Sequence, residues 1–396
     1  MKKQGISGHR YTCYKIPVFI PASALICPVL RLESISLVQF RNYLQQSFSF
    51  QERVVGICGM NGTGKTNLLD AIYYLSFTRS YFSRPDTLNI HHGMAGMRLE
   101  GNYQLQSEPQ LLTCIVRENN KKEISLNQEE YKKFSDHIGR IPCVMIAPDD
   151  ISLITGGGEE RRKFIDTILS QIDKTYLQHL IDYTKLLQQR NSLLKQSAES
   201  GKLDEAHFQI ITDQLCKKGD YLFAIRKEFL ADFLPLTHEI YERIAGKNDG
   251  LRLQYDSRLL QDSFVELLKI NKQKDLVLQR TTVGIHRDDL SFYMGEAAFK
   301  TEASQGQRKS LLFALKLAEW QVLKDKKGFT PILLLDDVFE KLDEQRMFQL
   351  LHWVCTESDG QVFITDTHSQ RLQTQLENTK TAFQLINLAN PEDLLI

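Results

Sequence analysis

Eight consecutive residues, Gly59-Met60-Asn61-Gly62-Thr63-Gly64-Lys65-Thr66, carry the strongest chemical signal in the chain. They match in full the pattern of a loop that wraps nucleotide phosphates, G-x-x-x-x-G-K-[ST]. Glycine lets successive backbone N–H groups turn inward toward phosphate oxygens, and the helix N-terminus that follows adds positive potential. The ammonium of Lys65 can reach β- and γ-phosphates, and the hydroxyl of Thr66 is a hard oxygen donor for Mg2+. The expected ligands are therefore ATP and Mg2+. Both flanks agree, since Val54-Val55-Gly56-Ile57-Cys58 has the make-up of a buried strand, and Leu68, Leu69, Ile72 and Leu75 follow at helical spacing.

A phosphate loop needs a second carboxylate for its metal. Pro331-Ile332-Leu333-Leu334-Leu335-Asp336-Asp337 supplies it, as an apolar strand that ends in two acids at the edge where open α/β sheets bind ligands. Asp336 is the expected Mg2+ partner of Thr66, and Asp337 the expected orienter of the attacking water, in chemistry that is mostly positioning and electrostatics. Upstream, Ser304-Gln305-Gly306-Gln307 precedes the helical run Leu311, Leu312, Leu315, Leu317 and Ala318. Alone the tetrapeptide would be a helix N-cap. Just ahead of the Asp336 strand it becomes a second phosphate grip, made by Ser304, Gly306 and Gln307. One chain cannot easily bring both grips to one nucleotide, so the economical arrangement is a head-to-tail homodimer in which each serine loop closes the partner's ATP. Leu342-Asp343, six residues after Asp337, would begin the loop along that interface, which adds Asp343 to the nucleotide-binding candidates.

The elements that must hold these residues can be read from periodicity. Short apolar runs from Leu30 to Asn127 (Leu30, Leu32, Ile35, Leu37, then Leu111 to Val116) predict strands, with Glu118 to Lys122 as a hairpin connection. From about Glu160, apolar residues at Ile165, Leu169, Ile172, Tyr176, Leu180, Tyr183, Leu187 and Leu194 predict one long helix with a single seam. The Ser197 to Lys202 stretch breaks it, and a second run through Phe208, Ile211, Leu215, Leu222, Ile225 and Phe229 ends before Pro235. Two such helices make an antiparallel arm. Strands return at Leu251-Leu253-Tyr255 and Leu290-Phe292-Met294, and the last hundred residues alternate helix and apolar strand. The first thirty residues differ from the rest. Their apolar stretch, Ile16 to Leu30, is broken by Pro17, Pro21 and Pro28 and is too short to span a bilayer, so residues 1–29 are expected to be a disordered leader or an overextended start. The expected fold class is α/β, a P-loop ATPase head with a β subdomain and an inserted antiparallel helical arm. Residues 30–158 and 280–396 form the head and 159–279 the arm.

Composition narrows the classes of function. With 396 residues, 42% of them hydrophobic, the chain can bury a large core. Lys+Arg and Asp+Glu both number 49, so any nucleic-acid surface must be a local patch. Seven scattered cysteines, with no Cys-x-x-Cys pair, argue against a disulfide framework or zinc knuckle and fit a reducing cytoplasm. Basic residues suited to phosphate neutralisation are Arg79, Arg84, Lys121, Lys122, Arg161, Arg162 and Lys163, each of which is by default a solvated side chain. His286 with Asp288 and Asp289 has the types of a metal site, but a charged cap on a returning strand is the simpler meaning.

Taken together, the phosphate loop, the serine loop and Leu333-Leu334-Leu335-Asp336-Asp337 resemble an ABC-type ATPase head of the SMC group. Finer motifs resemble the RecF family: Phe40-Arg41-Asn42-Tyr43, Arg79-Ser80, Arg161-Arg162-Lys163-Phe164-Ile165-Asp166 and His286-Arg287-Asp288-Asp289. Gly158 and Ile285 stand where that family usually has proline. The resemblance implies a weak ATPase that uses hydrolysis as a switch, dimerises with ATP and binds single-stranded and gapped duplex DNA. It further implies a place in DNA replication, recombinational repair and the SOS response, with RecR and RecO as partners in loading RecA. A transporter ATPase subunit shares the nucleotide motifs but should lack so long an insertion between its two grips. A nucleotide kinase would leave Ser304 to Gln307 without a purpose.

Overall fold

The structure is a computed structural model that describes residues 11–14, 30–83, 85–338 and 344–389. It divides into two compact units, one comprising the chain up to Asp150 and from Glu319 onward, the other Ile151–Ala318.

Two sheets build the first unit. Strands β4 (Val54–Cys58), β9 (Cys143–Ile146), β13 (Ile332–Leu335), β14 (Val362–Asp366) and β15 (Phe383–Asn387) form a parallel sheet in the order β9-β13-β14-β4-β15. All residues of β4 and β13 are buried, which is why they read as unbroken apolar runs. Within the expected leader, β1 (Tyr11–Tyr14) pairs antiparallel with β15 at the sheet edge; the remainder of residues 1–29 lies outside the described residues. The second sheet is an antiparallel meander, β3-β2-β5-β6-β7-β8, of β2 (Leu30–Phe40), β3 (Tyr43–Ser49), β5 (Met97–Leu105), β6 (Glu108–Val116), β7 (Lys122–Leu126) and β8 (Glu129–Glu130). The helix Lys65–Phe77 is buried on nearly every side, because Leu68, Leu69, Ile72 and Tyr74 belong to a single core with residues of both sheets. Each such leucine contributes about 1.5–3 kcal/mol of burial. The sheets are also tied through the buried Gln361, whose amide exchanges hydrogen bonds with the backbone of Leu32 at 2.7 and 2.9 Å.

The second unit is mainly helical, and here three expectations are corrected. The first long helix is two, Gly158–Ile172 and Lys174–Ser200, because Asp173 is extended and its side chain caps the second by accepting from the Thr175 N–H. The second long helix does not stop before Pro235 but runs from Glu205 to Ala245. Proline costs a helix one hydrogen bond and a clash, about 3 kcal/mol. Burial of Leu230, Phe233, Ile240 and Tyr241 on both sides of Pro235 offsets it. The seam also differs, passing through Tyr183, Leu186, Arg190 and Leu194 rather than Leu180 and Leu187. Arg190 is 1% exposed and donates to Asp275 at 2.8 Å and Thr281 at 2.7 Å. Beside these helices, β10 (Leu251–Asp256), β11 (Asp289–Met294) and β12 (Ala297–Ala298) form a small antiparallel sheet.

Candidate nucleotide site

The phosphate loop joins β4 to the helix Lys65–Phe77. Gly64, the residue before the helix, has φ +105°, and a side chain there would lie 2.6–2.9 Å from the Asn42 amide and Tyr43 hydroxyl. Only glycine meets both demands. Those neighbours support the loop: Asn42 Nδ2 donates to Thr63 O at 3.1 Å, Tyr43 OH donates to Gly64 O at 3.0 Å, and Asn67 donates to Asn42 Oδ1 at 2.7 Å. Arg41, from the same short motif, is 2.6 Å from the buried Asp70, and Ser80 donates to that carboxylate at 2.8 Å. Burial raises the Asp70 carboxyl, against the Arg41 charge and hydrogen bonds that lower it. Motifs that flank the loop in sequence are thus its scaffold. Lys65 is buried along its stem, and its Nζ donates to Gly59 O and Met60 O at 2.8 and 3.1 Å, so the ammonium lies over the mouth of the loop.

At the carboxyl edge of the parallel sheet, the acids meet the loop. Thr66 Oγ1 is 3.0 Å from each oxygen of Asp336, and the Asp336 backbone donates to Ile146 O. A hydroxyl and a carboxylate in contact are the hard oxygen donors that Mg2+ takes, with waters and phosphate filling the rest of its shell. Burial pushes the Asp336 carboxyl up to about 6, with the hydrogen bond from Thr365 acting against it. Thr365 was not singled out in the sequence. Its hydroxyl donates to Asp336 Oδ1 at 2.8 Å and accepts from the Asp337 N–H at 2.8 Å, which fixes both acids. Asp337 itself has φ +44°, a conformation uncommon for a side chain larger than glycine. Next to Thr365, Asp366 accepts from Arg371 and from the His368 N–H, fixing the turn into the helix Ser369–Asn378.

Ser304, Gly306 and Gln307 belong to the other compact unit. They open the helix Gln305–Lys327. Ser304 Oγ accepts from the Gln307 N–H at 3.3 Å, and Gln307 Oε1 accepts from the Ser304 N–H at 2.9 Å. This reciprocal cap leaves the serine exposed. Asp343 and Arg84 lie outside the described residues.

Several basic candidates are engaged within the fold. Lys122 donates to Thr78 O and Asp86, and Arg161 is bidentate to Asp289 at 2.7 and 2.9 Å. Arg162 donates to Asp288 O, Lys163 pairs with Glu159 and Glu160, and Lys121 pairs with Glu123. Arg79 is exposed. The ring of His286 accepts from Tyr183 OH at Nδ1 and meets Thr281 O at Nε2, and among the described residues no cluster of three or more His, Cys, Asp or Glu side chains could hold a metal ion.

A parallel sheet with a phosphate loop after β4, paired acids after β13 and a serine loop opening a helix defines an ATPase head of the ABC/SMC class. Residues 31–387 match the RecF/RecN/SMC N terminal domain. Solved SMC heads share the fold, one from Pyrococcus furiosus with TM-score 0.53 at 14% identity over 91% of this chain and 94% of that one. Within the class the chain belongs to the RecF family. It is 40% identical to the DNA replication and repair protein RecF of Flavobacterium johnsoniae over 91% of this chain and 100% of that protein. It is 38% identical to that of Phocaeicola vulgatus over 91% and 97%. A solved recombination mediator protein RecF with ATP, of the RecFOR pathway, matches with TM-score 0.79 and 29% identity over 86% of this chain and 93% of that one.

Proposed function

We propose that this chain is an ATP-driven dimerising switch that holds gapped DNA during replication and recombinational repair. The observation that carries the reading is the contact of Thr66 with both oxygens of Asp336 at 3.0 Å, directly beside Lys65 and Asp337. In it, residues Gly59 to Thr66 wrap the phosphates of ATP and Lys65 neutralises the β/γ oxygens. Thr66 and Asp336 hold Mg2+, which when bound draws charge from the phosphate oxygens. The Asp337 carboxylate accepts a hydrogen bond from the attacking water, and its fixed backbone aims that water at the γ-phosphate. Ser304, Gly306 and Gln307 of a second copy complete the nucleotide's surroundings. Hydrolysis is slow because the closed pair, not turnover, is the working state.

The helical arm, residues 159–279, is a separate functional part in this reading. DNA is met through exposed residues such as Arg79, since Arg161 and Lys122 are committed to internal ion pairs. By family likeness the partners are RecR and RecO, the outcome is RecA loading with SOS signalling, and the compartment is the cytoplasm. Among the described residues no helix is long and apolar enough to cross a membrane. Retention on gapped DNA tests the reading: the purified chain should stay bound with ATP, dissociate with ADP, and lose retention in Lys65→Ala. Equal retention with ATP, ADP or neither would overturn it.

A further inference from the structure

The serine loop is gripped from outside its own motif. Gln307 uses its backbone N–H and Oε1 on Ser304, and its remaining group, Nε2, donates to Asp249 Oδ2 at 3.0 Å. Asp249 stands in the turn between the helix Glu205–Ala245 and β10. Its side chain is 7% exposed and has two further partners, Lys247 Nζ at 2.9 Å and the Tyr241 hydroxyl at 3.0 Å. Against the burial that would raise it, hydrogen bonds from Gln307, Lys247 and Tyr241 hold the Asp249 carboxyl below its ordinary value. The turn is itself fixed. Gly246 closes the helix at φ +70° with its N–H on Glu242 O, Asn248 Oδ1 accepts from the Gly250 N–H at 2.8 Å, and Gly250 O accepts from the Gly295 N–H at 3.1 Å.

An amide side chain can be turned over at little cost, exchanging its donor and acceptor ends. An ionised carboxylate accepts only, so Asp249 selects the orientation in which Gln307 Nε2 faces it and Oε1 faces the Ser304 N–H. A second link runs parallel to the first, as the Tyr241 ring packs edge-on against Phe299, five residues before Ser304, with centroids 6.4 Å apart. Both flanks of the serine loop therefore bear on the end of one arm helix, one on its last turn and one on the turn that follows it.

We infer that Asp249 is a positioning residue of the ATP switch: through Gln307 and Tyr241 it sets the serine loop from the end of the arm helix. The inference rests on the proposed role of Ser304 to Gln307 as the grip on a partner's ATP. Its consequence is that a load on the arm that shifts the Tyr241 turn also shifts the loop that must close on nucleotide, and closure in turn biases the arm.

Amide hydrogen exchange at residues 303–308 of the full chain, without nucleotide, reads this link independently of dimerisation. Asp249→Ala should raise exchange there at least about fivefold, and Tyr241→Phe and Asp249→Asn, whose amide keeps one acceptor but can also turn its donor toward Gln307, should raise it less. With ATP added, the dimer should weaken at least about tenfold in Asp249→Ala and clearly less in Asp249→Asn. Unchanged exchange in Asp249→Ala, or an equal rise in Asp249→Asn, overturns the assignment. Exchange that responds as expected in a chain that never dimerises with ATP upholds the role of Asp249 and sinks the two-chain reading of the site instead.

Discussion

Lys65, Asp336 and Asp337 come from segments about 270 residues apart and meet because three parallel strands end at one edge. Their types and spacing made them legible in the sequence, since a phosphate loop and a strand ending in two acids are linear patterns. Thr365 was not legible. Its role comes from the pairing of β14 beside β13, with Leu335 opposite Ile364, and nothing in Val362-Phe363-Ile364-Thr365 announces which strand lies next to it. Asn42 and Tyr43 appeared only as family-like residues, and their bonds to Thr63 O and Gly64 O explain why such residues sit ahead of the loop. Lys65→Ala should weaken ATP binding at least about tenfold in calorimetry while the chain stays folded, because a charge-assisted contact to phosphate is lost. Asp337→Asn should bind ATP normally and hydrolyse it at least about tenfold more slowly in a phosphate-release assay. Thr365→Val should do more than slow turnover. It leaves the Asp337 N–H without its acceptor, which should cost about 1–3 kcal/mol in chemical denaturation.

Helix and strand types followed from periodicity, but two boundaries did not. Asp173 ends one helix and caps the next without interrupting the apolar spacing, so the pattern ran straight through it. Pro235 is the reverse case, where a local breaker is overruled by packing that appears only in three dimensions. The buried cations were hidden for the same reason. Arg226, 2% exposed, donates to Asp166 at 2.7 Å, Tyr176 OH at 3.0 Å and Ile285 O at 2.9 Å, joining three helices and the loop before β11. Arg226→Met should destabilise this unit by about 3–5 kcal/mol in denaturant melts, because Asp166 would be left without its counter-ion. Two histidines add a pH dependence. Burial lowers both His137 and His286 to about 4, from 6.5, and each ring is hydrogen-bonded to a backbone carbonyl, Leu75 O and Thr281 O. The unfolded chain therefore binds protons more readily. Their stabilisation is complete above about pH 6.5 and is lost as pH falls toward 4, at about 1 kcal/mol per pH unit per ring. Denaturant midpoints measured from pH 7 to 4.5 should fall accordingly, and His286→Asn should flatten the slope.

For the whole molecule, the formal charge of zero means that affinity for DNA cannot come from an overall field, so the switch must act by geometry and by the number of sites engaged. The proposed dimer would double those sites, and ATP held at its interface would make the doubling conditional. Thermodynamic reciprocity then requires that ATP tighten the dimer by the same factor by which dimerisation tightens ATP. This central claim is tested most directly by sedimentation of the unmodified chain and of Ser304→Arg, each with ATP, with ADP and without nucleotide. The long cation of the variant stands where a small hydroxyl and backbone donors must approach phosphate, while its own phosphate loop is untouched. A dimer is expected only for the unmodified chain with ATP, and a monomer for Ser304→Arg in all three conditions. An ATP-induced dimer of pure Ser304→Arg at the affinity of the unmodified chain would contradict it.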